Sequence, residues 1–151
     1  MVTRTRFDDS ECPVARSVDA IGDWWSLLIV RDAFDGSRRF GEFQRSLGVA
    51  KNILTARLRT LVAGGVLESV PASDGSAYRE YVLTPKGKSL FPVIVALRQW
   101  GEQNFFTAGE PHSQLLDRRR GERLRPLEVL SADGRRLDPD DTAVHKVPST
   151  Q

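Results

Sequence analysis

Four side chains in one short stretch carry the chemistry worth following: Lys51, Asn52, Thr55 and Arg59. Lysine and arginine neutralise phosphates or bind guanine edges. Asparagine can grip adenine at two atoms, and the methyl groups of threonine and alanine fit against thymine. The spacing places these four, with Ala56, on one side of a helix, because Leu54, Leu58, Leu61 and Val62 claim the other side as an apolar stripe. In a helix laid into a major groove, the first residues reach base edges and later ones meet the backbone. Lys51, Asn52 and Thr55 are therefore assigned to bases or their near surroundings, and Arg59 to phosphate. Arg57 stands toward the edge of that face. Arg38 and Arg39, ahead of the preceding helix, are placed near the backbone as anchors. Arg79 is placed to enter a minor groove or meet phosphate. The plain alternative for each is a surface residue that serves solubility.

Charge distribution supports the same stretch. The 151-residue chain has a net charge of only +2. Between Ser37 and Arg59, however, six basic residues face one acid, Glu42. Beyond Gly109, eight basic and eight acidic residues cancel. A basic stretch on an otherwise balanced chain is an electrostatic footprint for nucleic acid, although charge runs are also common on solvated faces.

Local signals set the elements that must position these residues. Cys12-Pro13 opens a helix, with Val14, Val18 and Ile21 at helical spacing and Gly22 as its stop. Asp23 is a predicted N-cap for a second helix, Trp24 to Phe34, whose apolar residues on nearly every side make it the central buried one. Ser37 is the predicted cap of a short helix near Arg39–Leu47, which Gly48 breaks. The helix bearing Lys51 then runs from about Ala50 to Ala63. Two short helices across a tight glycine-containing turn form a helix-turn-helix pattern. Two strands, Val66–Val70 and Tyr78–Leu83, flank a loop containing Asp74-Gly75 and form a hairpin wing. Thr84 and Pro85 start a long helix predicted to reach Phe105. Its apolar residues cover more than one face, so one face is expected to meet a second copy of the chain. The expected fold is mainly α with a small β-hairpin wing (α+β), a winged helix-turn-helix. The expected organisation is a flexible arm over 1–11, a DNA-binding and dimerisation domain over 12–106, and a partly disordered C-terminal extension over 107–151.

Several classes of function are excluded or disfavoured. The longest apolar run, Trp24 to Val30, is too short to span a bilayer. No apolar stretch follows the first basic residues, so no signal peptide is expected. A single cysteine rules out an internal disulfide framework and fits a reducing cytoplasm, where a nucleoid-associated protein would work. There is no Gly-rich phosphate loop, no paired histidine metal motif and no Ser-His-Asp set, and the only histidines, His112 and His145, lie in the extension. An enzyme is not expected. The remaining rival is a winged-helix protein-interaction module that does not read DNA sequence.

Longer motifs carry a resemblance. Cys12-Pro13-Val14 followed by Ile21-Gly22-Asp23-Trp24-Trp25-Ser26-Leu27-Leu28-Ile29-Val30-Arg31 closely resembles the opening of the HxlR-type regulators, relatives of the MarR group. So do Arg39-Phe40-Gly41-Glu42-Phe43, Ile53-Leu54-Thr55-Ala56-Arg57-Leu58-Arg59-Thr60-Leu61 and Tyr81-Val82-Leu83-Thr84-Pro85-Lys86-Gly87. Each motif alone is weak, but four in order at matching intervals are specific, and together they cover about residues 12 to 105. The resemblance implies a bacterial winged-helix homodimer that binds inverted-repeat operators in double-stranded DNA, with a repressor as the expected form. It also implies a dimer interface built by the N-terminal and long C-terminal helices. The tail resembles a small zinc ribbon found in some longer relatives. Here Arg120-Gly121 and Leu130-Ser131-Ala132-Asp133-Gly134 occupy the positions of its Cys-Gly and Cys-x-x-Cys-Gly segments, with every thiolate missing. Tetrahedral zinc needs four ligands, so no metal and no cofactor is expected.

Two release routes stay open. In several HxlR-type regulators the cysteine matching Cys12 senses oxidants, quinones or aldehydes. The amides of a helix N-terminus favour a thiolate there, while Glu11 opposes it. Cys12 is equally readable as a small residue that packs the helix start. A small-molecule effector is the second route, with Trp24, Trp25, Phe91, Ile94 and Trp100 as candidate lining of an apolar pocket or as ordinary core.

Overall fold

Proline and glycine punctuate the first half of the chain. In a computed structural model that describes residues 6–148, Pro13 opens α1 (Pro13–Ile21), and Cys12 is its N-cap residue. Asp23 caps α2 (Trp24–Phe34) by accepting from the Ser26 amide at 2.8 Å. α3 (Phe40–Leu47) and α4 (Lys51–Ala63) follow, with Gly48 between them in the left-handed region at φ 63°. A side chain other than glycine is strained there, and this residue lets the chain turn sharply between the two helices. β1 (Leu67–Pro71) and β2 (Arg79–Leu83) pair antiparallel, from Leu67 opposite Leu83 to Pro71 opposite Arg79. α5 (Pro85–Lys88) and α6 (Phe91–Phe105) complete the main elements, and a short 3-10 turn lies at Pro139–Asp141.

The chain divides into two compact units between Phe91 and Pro92. In the first, α2 contacts α1, α3, α4 and β2. Ile29, Val30, Phe43, Leu54, Leu58, Leu61 and Leu67 are almost fully buried and form its core. Each such side chain contributes roughly 1.5–3 kcal/mol through burial. α5 sits close to the strand start. A Cβ on Gly87 would lie 2.2 Å from the Val66 carbonyl oxygen, so only glycine fits there. Residues 6–11, the described part of the predicted arm, meet α1 at Asp19. Asp19 takes the Arg6 guanidinium and the Phe7 amide, each at 3.1 Å.

Three expectations are corrected. The helix predicted from Pro85 to Phe105 is broken by a turn at Ser89-Leu90. Pro92 has no N–H to donate to the Lys88 carbonyl, so one continuous helix cannot close its ladder there. Ser37 does not cap α3. Arg39 holds the N-cap position, and Glu42 accepts from the Arg38 and Arg39 amides at 3.0 and 2.9 Å. This is one half of a capping box, since arginine offers no acceptor in return. Trp24, expected on a buried helix, is 73% exposed.

In the second unit, α6 leads into a chain of tight turns. Leu116 bridges Arg123, and Leu130 bridges Arg136. Asp117 and Glu122 close the first turn, and Ser131 and Arg135 the second, each by a 2.8 Å backbone bond. These two turns lie where the resemblance placed the Cys-Gly segments of a zinc ribbon. No cluster of three or more potential metal-ligating side chains is found among the described residues. No described helix is long and apolar enough to cross a membrane.

Candidate nucleic-acid interface

α4 presents a face whose polar groups are not used by the fold. Leu54, Leu58 and Leu61 point into the core, which leaves Lys51, Asn52, Thr55, Ala56 and Arg59 exposed. Thr55 donates its hydroxyl to the Lys51 carbonyl at 2.8 Å, which leaves its methyl group outward and its oxygen able to accept. Lys51, Asn52 and Arg59 make no side-chain hydrogen bond or ion pair among the described residues. Their donors stay available to an external partner.

Arg57 does not join that face. Its Nε lies 3.4 Å from Asp23 Oδ1, so it turns toward the N-cap of α2 and ties α4 to it. Asp23 thus caps one helix and holds another.

Arg38 and Arg39 serve a clamp on the wing. Glu80, the second residue of β2, is only 4% exposed and accepts from Arg38 Nε at 3.1 Å and from Arg39 Nε at 3.5 Å. Ser73 adds a hydroxyl at 3.3 Å. Arg39 also pairs with Asp74 at the loop tip, and its guanidinium lies 5.6 Å from the centre of the Tyr78 ring. The Tyr81 amide donates to the Arg38 carbonyl at 2.7 Å, so the segment before α3 runs beside β2. The clamp fixes the wing to the start of the helix-turn-helix. Sequence reasoning passed over Glu80. The available signal was a lone carboxylate within a β-prone run and two adjacent arginines with few acids near them.

Two carboxylates of this region titrate low. The amide of Arg39, then that of Arg38, holds Glu42 below its ordinary range. The amide of Ser76, then the Arg39 guanidinium, holds Asp74 well below the carboxylate range. Arg79 lies along the hairpin rather than at its tip. It donates to the Ser69 hydroxyl and carbonyl at 3.1 and 2.8 Å.

The remaining candidates are scattered. Cys12 is half-buried, and its amide donates to the Ser10 hydroxyl at 3.1 Å. Trp24 and Trp25 meet edge to face at 6.2 Å, and Phe91 packs on Phe34 at 5.5 Å. Trp100 is 59% exposed and meets Phe105 at 5.2 Å, while Ile94 is half-buried. None of these five apolar candidates lines the cavity on α6 or the one between α3 and the wing.

A trihelical core with a glycine-hinged helix pair and a clamped hairpin defines a winged helix-turn-helix protein. The HxlR-like helix-turn-helix family matches residues 20–108. The chain belongs to that family, and it is a transcriptional regulator. An HTH-type transcriptional regulator of Mycobacterium tuberculosis is 38% identical over 124 residues, which cover 82% of this chain and 78% of that protein. The crystal structure of PA1607, assigned as a transcription factor, superposes with a TM-score of 0.88 at 55% identity, covering 92% of this chain and 97% of the other. The redox regulator HypR in its oxidized form gives 0.58 at 33% identity over 64% of this chain and all of its own. These likenesses agree with the winged fold and with the MarR-related class expected from the motifs.

Proposed function

We propose that this regulator binds double-stranded DNA as a homodimer, at an inverted-repeat operator, and acts as a repressor. The observation that carries the reading is the unspent donor set of Lys51, Asn52 and Arg59 on one exposed face of α4. With α4 in the major groove, Lys51, Asn52 and Thr55 face base edges and Arg59 faces phosphate. Arg38 and Arg39 act first by holding the wing, and their remaining N–H groups meet the backbone. Arg79 stiffens the hairpin that approaches the adjacent groove. The segment 12–106, which takes in most of the first unit and α6, carries binding and dimerisation. Two exposed apolar stripes support the dimer: Val14 and Val18 on α1, and Val93, Leu97 and Trp100 on α6.

Release is assigned to a signal at Cys12 or to a bound small molecule. The likeness to a redox regulator supports the thiol route. Loss of two electrons to an oxidant would join two Cys12 sulfurs across the dimer, and an electrophile would form an adduct at one. The test of the DNA reading is binding to duplexes selected from genomic DNA over a range of salt. Affinity that falls steeply with salt supports it, whereas a flat response points to a protein-interaction module.

A further inference from the structure

The C-terminal unit contains a cavity that the DNA-binding reading does not use. It lies between α6 and the segment 114–126, with a volume of about 230 Å³. Val95, Leu115, Leu124 and Pro126 supply apolar lining, and Val95 is almost fully buried. Two guanidiniums, Arg98 and Arg123, line the same space.

Neither guanidinium is fully engaged. Arg98 spends one terminal nitrogen on Ser113, at 2.9 Å to the hydroxyl and 3.2 Å to the carbonyl. Its Nε is buried and finds no acceptor among the described residues. That atom has no accessible surface and faces no ligand; Nη2, which makes no hydrogen bond among the described residues, is the free donor that an anion in the cavity would meet. Arg123 pairs its backbone with Leu116 but makes no side-chain hydrogen bond or ion pair among the described residues. By contrast, Gln99 is engaged at both ends of its amide, donating to the Arg125 carbonyl at 3.1 Å and accepting from the Leu127 amide at 2.7 Å. The one acid in the lining, Glu102, lies 3.7 Å from His112 Nε2. The wall is therefore built by the fold, while its two cationic groups keep unsatisfied donors.

We infer that this cavity binds a small organic carboxylate, with the anion held between Arg98 and Arg123 and the apolar body set against Val95, Leu124 and Pro126. The volume lies below the roughly 300 Å³ floor of drug-sized pockets, which limits the ligand to a compact molecule. Glu102 places a negative charge in the same lining and selects against a second anionic group on the ligand. The five apolar residues first considered as an effector pocket line no part of it.

The site is independent of the α4 reading, so either can fail without the other. The test is calorimetric titration of the full chain with benzoate, benzamide and inorganic phosphate. Benzoate is expected to bind, with benzamide and phosphate each at least tenfold weaker, because the first lacks the charge and the second the apolar body. Arg123→Gln leaves the fold intact, since that side chain holds nothing in place, and it should weaken benzoate about tenfold or more. Arg98→Lys keeps a cation but loses the fork geometry and should weaken it similarly. Equal binding of benzoate and benzamide, undiminished benzoate binding by Arg123→Gln, or no benzoate binding at millimolar concentration would each overturn the inference.

Discussion

Glu80 on β2 accepts a 3.1 Å hydrogen bond from the Arg38 guanidinium, 42 residues earlier in the chain. The carboxylate is buried and the arginine half-exposed, with side-chain exposures of 5% and 50%. This pair, reinforced by Arg39, makes the wing and the helix-turn-helix one mechanical piece. Glu80→Ala releases Arg38 to water and leaves Arg39 paired with Asp74. The expected loss is about 1–2 kcal/mol, below the ~3–5 kcal/mol of a fully buried pair, because Arg38 rehydrates and Arg39 keeps Asp74. A urea midpoint lowered by that amount checks it. The same variant should bind DNA more weakly, since the wing is no longer held.

Arg57 and Arg59 are two residues apart and are predicted to do different work. Arg57→Ala breaks the contact with Asp23 and should lower stability by a few tenths to about 1 kcal/mol while leaving DNA affinity nearly unchanged. Asp23→Ala loses the cap of α2 as well and should cost about 1–2 kcal/mol. Arg59→Gln should do the reverse, with stability kept and affinity reduced. Thermal melts and anisotropy titrations on the same preparations separate the two effects.

The elements from Pro13 to Lys88 were largely legible because their signals are local. Pro13, Asp23, Gly48 and Thr84 each act within a few residues of where they stand. The outward face of α4 was legible for a related reason, since Leu54, Leu58 and Leu61 fix which side is inward. The break before α6 was also written locally, in Pro92, but the apolar run from Leu90 to Leu97 outweighed it. What could not be read were pairings across the fold. Arg57 with Asp23, and Arg38 with Glu80, depend on which helices and strands come together. No spacing along the chain encodes that.

Acid should loosen the start of α3 and the wing tip. Glu42 and Asp74 are both held below their ordinary values of 4.5 and 3.8. A carboxylate lowered in the folded state contributes fully above its unfolded pKa, and that contribution is lost as pH falls through the folded value. These contributions are therefore complete at neutral pH and decline below about 4.5. Glu42→Gln and Asp74→Asn should each flatten the acid limb of a stability-against-pH curve. An unchanged limb in both would show that the amide and arginine bonds do not hold these groups in solution.

The exposed stripe of α6 gives a prediction for assembly. Leu97 stands between Val93 and Trp100 on that face. Leu97→Asp puts a charge into the proposed dimer contact and should shift the chain toward monomer in sedimentation runs. Operator affinity should fall with it, because two half-sites are no longer bound together. A variant that remains dimeric with full affinity would place the contact elsewhere.

The most direct test of the α4 reading is fluorescence anisotropy on an operator duplex, with parent, Asn52→Ala and Arg59→Gln compared across salt. The parent should show a steep linear fall of log affinity with log salt. Arg59→Gln should reduce the slope by about 1 for each protomer, through one lost phosphate contact. Asn52→Ala should keep the slope, lose about 1–3 kcal/mol at the operator and narrow the gap to non-specific DNA. If both variants match the parent in slope and in specificity, α4 does not read DNA and the account is wrong.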